Sequence, residues 1–377
     1  MPPPYNSRMN AFDVQVHGAG IVGHSLALAL ARLGLRVALA ADPAAQPRSE
    51  DVRAYALNPA SVGLLRSLKV WDALPAQAAT PVHEMQVHGD AVGADLEFSS
   101  WEQRVGALAW ITDAAVLERE LAAAVRFAPH VTRVDGDAPA ALRALCEGRE
   151  SPRREALGVT FTRRAYGQQA LAARLTAPQP HQGIARQWFR SPDVLALLPF
   201  DTPQPGASYA LVWSVPTERA EALRGLDATA FEQALMEATG ATAGALKLVS
   251  ERAAWPLQLG RADRWSGPGW VLLGDAAHVV HPLAGQGLNL GLADVATPAR
   301  VIGEREPWRP LGDERLLRRY ARERAAPTWA MGEVTDGLLR LFSHDSSALR
   351  ELRNRGLTLV NHFPSAKRWL ASQALGS

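Results

Sequence analysis

The fold is decided by the stretch GWVLLGDAAHVVHPLAGQGLNLG, which occupies Gly269–Gly291. Residues 270–273 form a short apolar run typical of a buried strand, and the pair Gly274-Asp275 ends it abruptly. The run at 288–302 predicts a helix, whose first N–H groups have no partner within the helix and form its positive dipole end. This order of strand, acid, glycine-rich loop and helix start predicts a ligand site at the carboxyl end of a strand.

Several residues of this stretch suit a flat ligand with a polar chain. The carboxylate of Asp275 can accept hydrogen bonds from a polyol or ribityl chain. Pro282, Gly285 and Gly287 let the backbone pass close to a ring, because the glycines have no Cβ to collide with it. A helix start aimed at the ring suits a flavin, whose reduced form is negatively charged.

A second motif near the amino terminus has the spacing of a dinucleotide-binding turn. A strand predicted at 13–17 runs into Gly18-Ala19-Gly20-Ile21-Val22-Gly23, and a helix at 24–33 and a strand at 36–40 follow. GxGxxG between a strand and a helix places backbone N–H groups around a pyrophosphate. The sequence contains no second GxGxxG, so it predicts one dinucleotide bound in this way.

Together the two motifs resemble the flavin-dependent aromatic hydroxylases. The resemblance is strongest to the branch that hydroxylates polyprenylated phenols in ubiquinone biosynthesis, and it extends over nearly the whole chain after Phe12. The further matching segments are 51–58, which contains an arginine that lies beside the flavin in the family, 61–74, 199–200, 211–214, 335–338 and 350–374.

The resemblance implies an α/β fold with α+β elements. A Rossmann-like FAD-binding domain is interleaved with an antiparallel-sheet substrate domain, and helices follow at the C-terminus. The implied boundaries are a disordered start at 1–11, an FAD-binding domain at 12–80, 106–170 and 255–345, a substrate domain at 81–105 and 171–254, and a helical tail at 346–377.

The resemblance also implies a reaction and its site residues. NADPH or NADH reduces bound FAD, O2 adds to form a flavin hydroperoxide, and one oxygen enters an activated phenol ring; the protein orients the ring and excludes water. Because the flavin performs the chemistry, no catalytic side chain is assigned. The implied cofactor contacts are Gly18, Gly20, Ile21, Val22 and Gly23 at the pyrophosphate, Asp42 at the ribose, Arg53 beside the flavin, Asp275 at the ribityl-phosphate region, Gly285 and Gln286 in the glycine loop, Gly287, Leu288 and Asn289 at the pyrimidine edge, and Pro282 and His278 near the ring.

The chain departs from the family pattern at four places. Ala41 occupies the position of a ribose-binding glutamate, so the nearest acid is Asp42, and Ala114 stands where a polar residue usually precedes a helix. The family's Asp-Gly pair is Glu147-Gly148, and 131–147 is shorter than the family pattern, which indicates a trimmed meander. These departures leave two alternatives open: a catalytically degenerate accessory subunit of a ubiquinone-biosynthesis assembly, or another FAD oxidoreductase such as a prenyl-group reductase.

Composition excludes several classes of protein. The chain has 377 residues, 47% of them hydrophobic and 21% charged, which is typical of a globular protein and long enough for two connected domains. The formal net charge of +2 and the lack of a basic stripe interleaved with aromatics argue against a nucleic-acid partner. A single cysteine, Cys146, excludes an internal disulfide and suits a cytoplasmic location.

The histidines suggest no metal site. His278 and His281 are three residues apart, but no third ligand stands at metal spacing, so we expect no metal and place His278 beneath the flavin. The alternating stretch 82–88 puts Val82, Glu84, Gln86 and His88 on one face of a strand, which lines either the substrate cavity or solvent.

The C-terminal tail is a candidate membrane contact. No window is long and apolar enough to span a bilayer, and we expect no secretory signal because no charged segment precedes an apolar one at the start. From Leu349 onward, however, apolar residues including Trp369 alternate with basic ones, which is typical of a helix lying on an anionic membrane or of one closing the core. Because a polyprenylated substrate resides in the bilayer, a peripheral position on its inner face is one prediction.

Overall fold

A computed structural model describes residues 11–41, 51–89, 95–280 and 286–343 of the chain, with only the backbone given for Gln286 and for several positions from Met331 onward. The chain begins with strand β1 (Phe12–His17), helix α1 (Ile21–Arg32) and strand β2 (Val37–Ala40). β1 and β2 pair in parallel, with Val14 opposite Val37. The predicted β-turn-α-β unit is therefore present, with its helix starting three residues earlier than predicted.

A six-stranded sheet forms around this unit. Its spatial order is β16-β17-β9-β1-β2-β8, and all neighbours are parallel except the short edge strand β16. The remaining members are β8 (Val131–Val134), β9 (Ala140–Leu145), β16 (Ser266–Gly267) and β17 (Trp270–Leu272). The two glycine motifs thus follow β1 and β17, which are separated only by β9 and end at the same edge of the sheet.

The connection from β8 to β9 crosses one face of this sheet without a helix or strand. Residues 135–139 pass over the buried Gln15, whose side-chain amide donates to Gly136 O at 2.8 Å and accepts from Ala138 N at 3.1 Å. This is where the sequence indicated a trimmed meander. The crossing segment thus provides both hydrogen-bond partners of the Gln15 amide, which would otherwise be buried without any.

A larger sheet forms the second layer of the molecule. Its order is β18-β15-β10-β13-β12-β11-β5-β6, with β14 beside β10, and its neighbours are antiparallel except β11 and β5. Its strands are β5 (Glu84–His88), β6 (Asp95–Ser99), β10 (Phe161–Thr176), β11 (Ile184–Arg190), β12 (Asp193–Phe200), β13 (Ser208–Pro216), β14 (Lys247–Leu248), β15 (Ala253–Ala262) and β18 (His278–Val279). The predicted antiparallel sheet is confirmed. The predicted boundaries at 170/171 and 254/255 fall inside β10 and β15, so these strands continue from one predicted domain into the other.

Three further strands and eight further helices complete the described chain. The three-stranded sheet has the order β3-β7-β4. Its strands are β3 (Ala54–Leu57), β4 (Ala79–Val82) and β7 (Ala109–Asp113); the helices are α2 (Pro59–Ser67), α3 (Ser100–Gln103), α4 (Ala114–Arg126), α5 (Pro152–Ala156), α6 (Thr217–Gly225), α7 (Ala228–Thr239), α8 (Gln286–Gly303) and α9 (Glu314–Ser343). The helix predicted at 288–302 is confirmed as α8, while the tail at 346–377 and the start at 1–10 lie outside the described residues.

The departure at Ala114 has a simple structural answer. Ala114 is the fully buried first residue of α4, and Asp113 before it accepts a hydrogen bond from Val116 N at 3.0 Å. The polar cap is therefore present one residue earlier than the family pattern suggested, and α4 starts normally.

Candidate active site

The turn after β1 brings the backbone unusually close to its neighbours. Gly18 has φ +101°, and a Cβ on it would lie 2.3 Å from Cys146 O. A Cβ on Gly23 would lie 1.8 Å from Gly18 O. These two glycines therefore let α1 pack directly against the turn, which no other residue type allows.

Gly20 lies at the other side of this turn and faces open space. No described atom lies within 4 Å of a Cβ built on it. Within the described chain no side chain caps the first turn of α1, and that turn contains no acidic residue. The free N–H groups at the start of α1 therefore fit a phosphate group.

The second motif forms the opposite wall. After β17, Gly274 has φ +58° and opens a single 3₁₀ turn that includes Asp275. A Cβ on Gly291 in α8 would lie 2.9 Å from the Val22 side chain, so this glycine lets α8 pack closely on α1. The two motifs, which are about 250 residues apart in the sequence, thus meet at one site.

One cavity of about 850 Å³ joins both motifs to the larger sheet. This volume is in the range of small-molecule and cofactor sites. The predicted site residues that line it are Gly20, Ile21, Val22, Arg53, Asp275, Gly287 and Leu288. Gly18 and Gly23 lie behind the wall as close-packing positions, whereas Asp42, Pro282 and Gly285 lie outside the described residues, as does the side chain of Gln286.

Gly287 fits a flat ligand for the reason that the sequence suggested. It lines the cavity at the start of α8, and no described atom lies within 4 Å of a Cβ built on it. The described part of the protein therefore leaves this space open, and a side chain would project into the cavity. The open cradle at Gly20 and Gly287 fits a dinucleotide with a flat ring.

The guanidinium of Arg53 is held on the cavity wall by three neighbours. Its Nε donates to Asp51 Oδ1 at 2.8 Å, Nη1 to Tyr55 Oη at 3.0 Å and Nη2 to Glu118 Oε1 at 3.2 Å. Burial raises the pKa of Tyr55 to about 12, so its hydroxyl keeps its proton at neutral pH. The backbone oxygen of Arg53 also accepts a hydrogen bond from Arg174 Nη2 at 2.8 Å, which connects this wall to strand β10.

Asn289 is placed differently from the predicted contact with the pyrimidine edge. Its side chain is buried: Oδ1 accepts from Asn58 N at 3.0 Å and from Ser61 Oγ at 2.8 Å, and Nδ2 donates to Ala56 O at 2.8 Å. The side chain therefore ties the start of α8 to β3 and α2. This positions the first turn of α8 at the cavity.

His278 also differs from its predicted place beneath the ring. Val279 lines the cavity, whereas His278 points to the other side of β18, where it stacks on Trp265 with ring centroids 5.0 Å apart. Its Nε2 lies 2.6 Å from Asp294 Oδ2, which also accepts from Gly274 N at 3.0 Å. His278 thus belongs to the support behind the Gly274 turn.

Asp294 is the centre of that support. It is fully buried, and its Oδ1 accepts from Arg324 Nε at 2.8 Å. Burial alone would raise the pKa of this carboxyl, but His278 and Arg324 offset it and hold the pKa below its usual range. The ion pair of Asp294 with Arg324, together with the hydrogen bond from Gly274 N, fixes the backbone from which Asp275 projects.

Glu147-Gly148 replaces the Asp-Gly pair of the family pattern, and hydrogen bonds fix the glutamate side chain. Glu147 Oε1 accepts from Arg153 Nη1 at 2.5 Å, and Oε2 accepts from Ser151 Oγ at 2.6 Å. Gly148 has φ +85° and lines the cavity. Next to it, Arg149 Nε lies 3.6 Å from Asp275 Oδ2, so an ion pair connects the two walls.

Arg154 is a site residue that sequence reasoning missed. It is fully buried, stacks at 3.9 Å on the Phe161 ring, and donates to Ala276 O and Arg149 O, both at 3.0 Å. Burial lowers the pKa of its guanidinium. Arg154 thus joins the backbone next to Asp275 to the backbone of Arg149. Because both acceptors are main-chain carbonyl oxygens, the sequence does not indicate these hydrogen bonds.

The far wall of the cavity is the larger sheet. Val82 and Met85 line it, but Glu84 is exposed and His88 stacks on Trp188 at 5.4 Å and bonds Asp95 at 2.8 Å. The sequence left open whether the face of Val82, Glu84, Gln86 and His88 lines the cavity or solvent, and of these four only Val82 lines the cavity. Val82 ends β4 and Met85 belongs to β5, so the alternation does not continue through His83.

Two further expectations concern metals and membranes. Among the described residues, no group of three histidine, cysteine or acidic side chains could hold a metal ion. No helix in the described ranges is both long and apolar enough to cross a bilayer. Burial raises the pKa of the Cys146 thiol well above its usual value, so this cysteine lacks the thiolate of a nucleophile.

Comparison with known proteins agrees with this site. The family model described as FAD binding domain matches residues 11–143 and 136–335. The chain is 30% identical to the 3-demethoxyubiquinol 3-hydroxylase of Escherichia coli over 97% of this chain and 98% of that protein. It is 29% identical to the ubiquinone hydroxylase UbiL of Rhodospirillum rubrum over 100% of this chain and 92% of the relative.

Solved structures share the fold. PqsL of Pseudomonas aeruginosa, in complex with 2-aminobenzoylacetate, superposes with a TM-score of 0.75 at 21% identity, covering 92% of this chain and 99% of that one. The p-nitrophenol 4-monooxygenase PnpA of Pseudomonas putida gives a TM-score of 0.74 at 17% identity, covering 97% and 98%.

The two glycine motifs, the open cradle and the family match define an FAD-binding protein, and the chain belongs to that family. Its cofactor is FAD. Within the family it is an FAD-dependent monooxygenase, similar over its whole length to the ubiquinone hydroxylases.

Proposed function

We propose that this enzyme hydroxylates the aromatic ring of a ubiquinone precursor, with NAD(P)H as reductant and O2 as the oxygen source. Relatives named as hydroxylases of ubiquinone biosynthesis support the substrate class, since they match the chain over nearly all of its length. Bound FAD would supply the activation of oxygen. The chain's own part is to hold the cofactor, orient the ring and keep water away.

The observation that supports this function best is the shape of the cavity. It is continuous from the dinucleotide turn at Gly20 to the small apolar side chains of the larger sheet, such as Ala172 and Ala196. A flat cofactor and an apolar ring therefore fit in one space, face to edge or face to face. The apolar wall disfavours water at the reacting ring carbon.

The cofactor would be held by the residues that leave space for it. Gly20 and the start of α1 would bind the pyrophosphate, Asp275 the ribityl region, and Gly287 with Leu288 the pyrimidine edge of the ring. Arg53 would stay beside the flavin because Asp51 and Glu118 fix its guanidinium. We place Pro282 at the ring face and Asp42 at the ribose on the family pattern alone.

The nicotinamide cofactor would bind only transiently. The sequence has one GxGxxG, at Gly18–Gly23, and FAD would occupy it. NAD(P)H therefore lacks a Rossmann unit of its own and would be lost during purification. A tightly bound nicotinamide nucleotide in the purified protein would contradict this part of the proposal.

The decisive test is a reaction with a defined phenol. The purified protein should be yellow, oxidise NADPH faster when a short-chain 2-prenylphenol is added, and release that phenol with one added oxygen, as measured by mass spectrometry with ¹⁸O₂. Retention of FAD without any hydroxylated product would instead favour the accessory-subunit alternative. Reduction of the prenyl chain would favour the reductase alternative.

We also propose that the enzyme meets its lipid substrate at a membrane surface. The sequence pattern of basic and apolar residues from Leu349 to Leu370 supports this, as expected for a short interfacial helix after Pro364. Full-length protein should co-sediment with anionic liposomes at low salt, and a chain truncated before Pro364 should not. Equal sedimentation of the two would assign the tail to a structural role.

A further inference from the structure

A second cavity lies behind the strands that form the far wall of the cofactor cavity. Along β12, Val194, Ala196 and Leu198 line the cofactor cavity, whereas Asp193 and Leu195 line the second one. Strand alternation produces this division, because successive side chains point to opposite faces of a sheet. The second cavity, here called the rear cavity, lies between β11, β12, β13 and helix α7, and its volume is about 310 Å³. This volume is at the lower end of the range of small-molecule sites.

The buried floor of the rear cavity consists of two indole rings, one leucine and one carboxylate. They belong to Trp188, Trp213, Leu195 and Asp193. Alanines of α7 complete the lining from the helix side, and their short side chains leave space over the floor. A small ring therefore fits between α7 and the sheet, where it can pack against the indoles.

Asp193 is the acceptor that this floor offers to a ligand. It is only 7% exposed; its Oδ2 accepts from Trp213 Nε1 at 3.2 Å and lies 3.1 Å from Arg219 Nη2. Its Oδ1 is buried, and no described group bonds it. Burial raises the pKa of this carboxyl, which Arg219 and Trp213 only partly offset. Because a buried acceptor without a donor is costly, a hydrogen bond from a ligand to Oδ1 would be favourable.

The size and charge of the rear cavity narrow the class of ligand. A water molecule could donate to Oδ1, but it occupies only roughly 30 Å³ and would leave the indole floor uncovered. A cationic donor is opposed by Arg219, which already lies at the same carboxylate and 5.6 Å from the centre of the Trp213 ring. The other charged residues of the lining, Arg190 and Glu237, are exposed at the rim and remain hydrated. A neutral donor on an apolar ring satisfies both the carboxylate and the floor.

We propose that the rear cavity is a second binding site, which takes a neutral single-ring compound with a hydroxyl group. The hydroxyl donates to Asp193 Oδ1, and the ring packs against the indoles of Trp188 and Trp213. The sheet separates this molecule from the cofactor cavity, so the site suits an effector and not the substrate. The proposal therefore stands or falls independently of the proposed reaction.

The test uses three probes of matched shape and the full-length, FAD-containing protein. The probes are benzyl alcohol, which is a neutral donor, benzylamine, which is a cationic donor, and ethylbenzene, which has no donor. Indole N–H signals of protein labelled with ¹⁵N-tryptophan report binding by NMR and are assigned by single Trp→Phe variants. Trp188 and Trp213 report the rear cavity, whereas Trp255 lines the cofactor cavity and reports binding there.

Three variants separate the hydrogen bond from the space. Asp193→Leu removes the acceptor, and Ala238→Leu fills the cavity from α7. Ala222→Leu is the matched control, because Ala222 is exposed on the neighbouring helix α6 and does not line the rear cavity. FAD content should stay at the wild-type value in all three, since none of these residues lines the cofactor cavity.

The wild type should bind benzyl alcohol at least about fivefold more tightly than either other probe, with saturable shifts of the Trp188 and Trp213 signals. Asp193→Leu should reverse this preference toward ethylbenzene. Ala238→Leu should weaken benzyl alcohol binding at least about tenfold, while Ala222→Leu should leave it unchanged. If Asp193→Leu does not fold, the probe preference of the wild type and the loss in Ala238→Leu decide the question.

Three results would overturn the inference. The first is the absence of saturable shifts at Trp188 and Trp213, including the case in which only the Trp255 signal responds. The second is ethylbenzene binding as tight as that of benzyl alcohol, which would leave Asp193 without a role. The third is tighter binding of benzylamine, which would assign the rear cavity to cations.

Discussion

Two pairs of glycines in the same site have opposite structural reasons. Gly18 and Gly23 are enclosed by protein, since a Cβ on either would lie within 2.3 Å of a backbone oxygen. Gly20 and Gly287 face the cavity, and no described atom lies within 4 Å of a Cβ on either. The first pair is required for the chain to fold around itself, whereas the second is required only when a ligand is present.

This difference shows that a motif is not a uniform unit. GxGxxG contains both kinds of glycine within six residues, so its mutations should separate folding from cofactor binding.

The largest change should come from Gly23→Ala. One methyl group meets the backbone of Gly18 at 1.8 Å, and neither α1 nor β1 can move away from a fully packed core. We expect a loss of more than about 3 kcal/mol, the upper end of the usual cost of overpacking. Urea denaturation of the apoprotein measures it, and Gly20→Ala, which adds the same methyl group, should cost less than about 0.5 kcal/mol. Equal midpoints for the two variants would break the comparison.

Arg154→Met should have the second largest effect. The substitution keeps the stem over Phe161 but leaves Ala276 O without its donor. It also removes the Arg154 bond to Arg149 O, which then accepts only from Arg163 Nη2 at 3.2 Å. We expect a cost of about 2 kcal/mol in unfolding and weaker FAD retention. The matched control is Arg318→Met, whose exposed ion pair with Glu314 should contribute less than about 1 kcal/mol. If the control lowers the free energy of unfolding as much as Arg154→Met does, the buried hydrogen bonds of Arg154 have no special role.

A pH dependence should follow from His24, on the enclosed side of α1. Burial, aided by the charge of Arg133, lowers the pKa of this histidine to about 4 in the folded protein. The unfolded chain binds a proton near pH 6.5, so stability should fall as the pH drops from about 6.5 toward 4, by up to about 1.4 kcal/mol per pH unit. His17, whose pKa burial also lowers to about 4, adds a second such slope. The difference between the denaturation midpoints at pH 7.5 and 5.0 should shrink in His24→Leu, with the His17 contribution remaining. An unchanged difference would exclude His24 as a source.

The smallest change in unfolding should come from Gly287→Val, although its effect on function should be complete. The side chain projects into open space, so the apoprotein should unfold at the wild-type urea concentration. The same side chain would occupy the place of the ring, and bound FAD should be lost. Absorbance of the purified protein near 450 nm gives the result. A yellow, folded Gly287→Val protein would remove Gly287 from the ring contact.

The sequence was sufficient for the parts of the site that depend on local geometry. The strand, turn and helix around Gly18–Gly23 were predictable because glycine spacing and apolar periodicity act within a few residues. The same holds for β17 and α8. The open space at Gly287 also follows from its type, since only glycine leaves that space at the start of a helix.

The parts that failed depend on which way a side chain turns in three dimensions. His278 and Asn289 lie within the predicted loop, but strand alternation and the packing of α8 direct both away from the cavity. Arg154 was missed since both of its partners are backbone carbonyl oxygens, which no residue type signals, and Ala276 is also distant in the sequence. The row of Gln187, Ala196 and Val212 across three strands of the cavity wall depends on strand register, which no local pattern specifies.

The connection at 135–139, which crosses the sheet without a helix or strand, should tolerate insertions better than deletions. The span from Val134 to Ala140 reaches about 20 Å at most, which is comparable with the diagonal of the sheet that it crosses. A deletion there would have to unravel the end of a strand, whereas an insertion would cost little more than the entropy of a longer loop. Added residues could therefore cover this face of the sheet, whereas a shorter connection could not join the two strands.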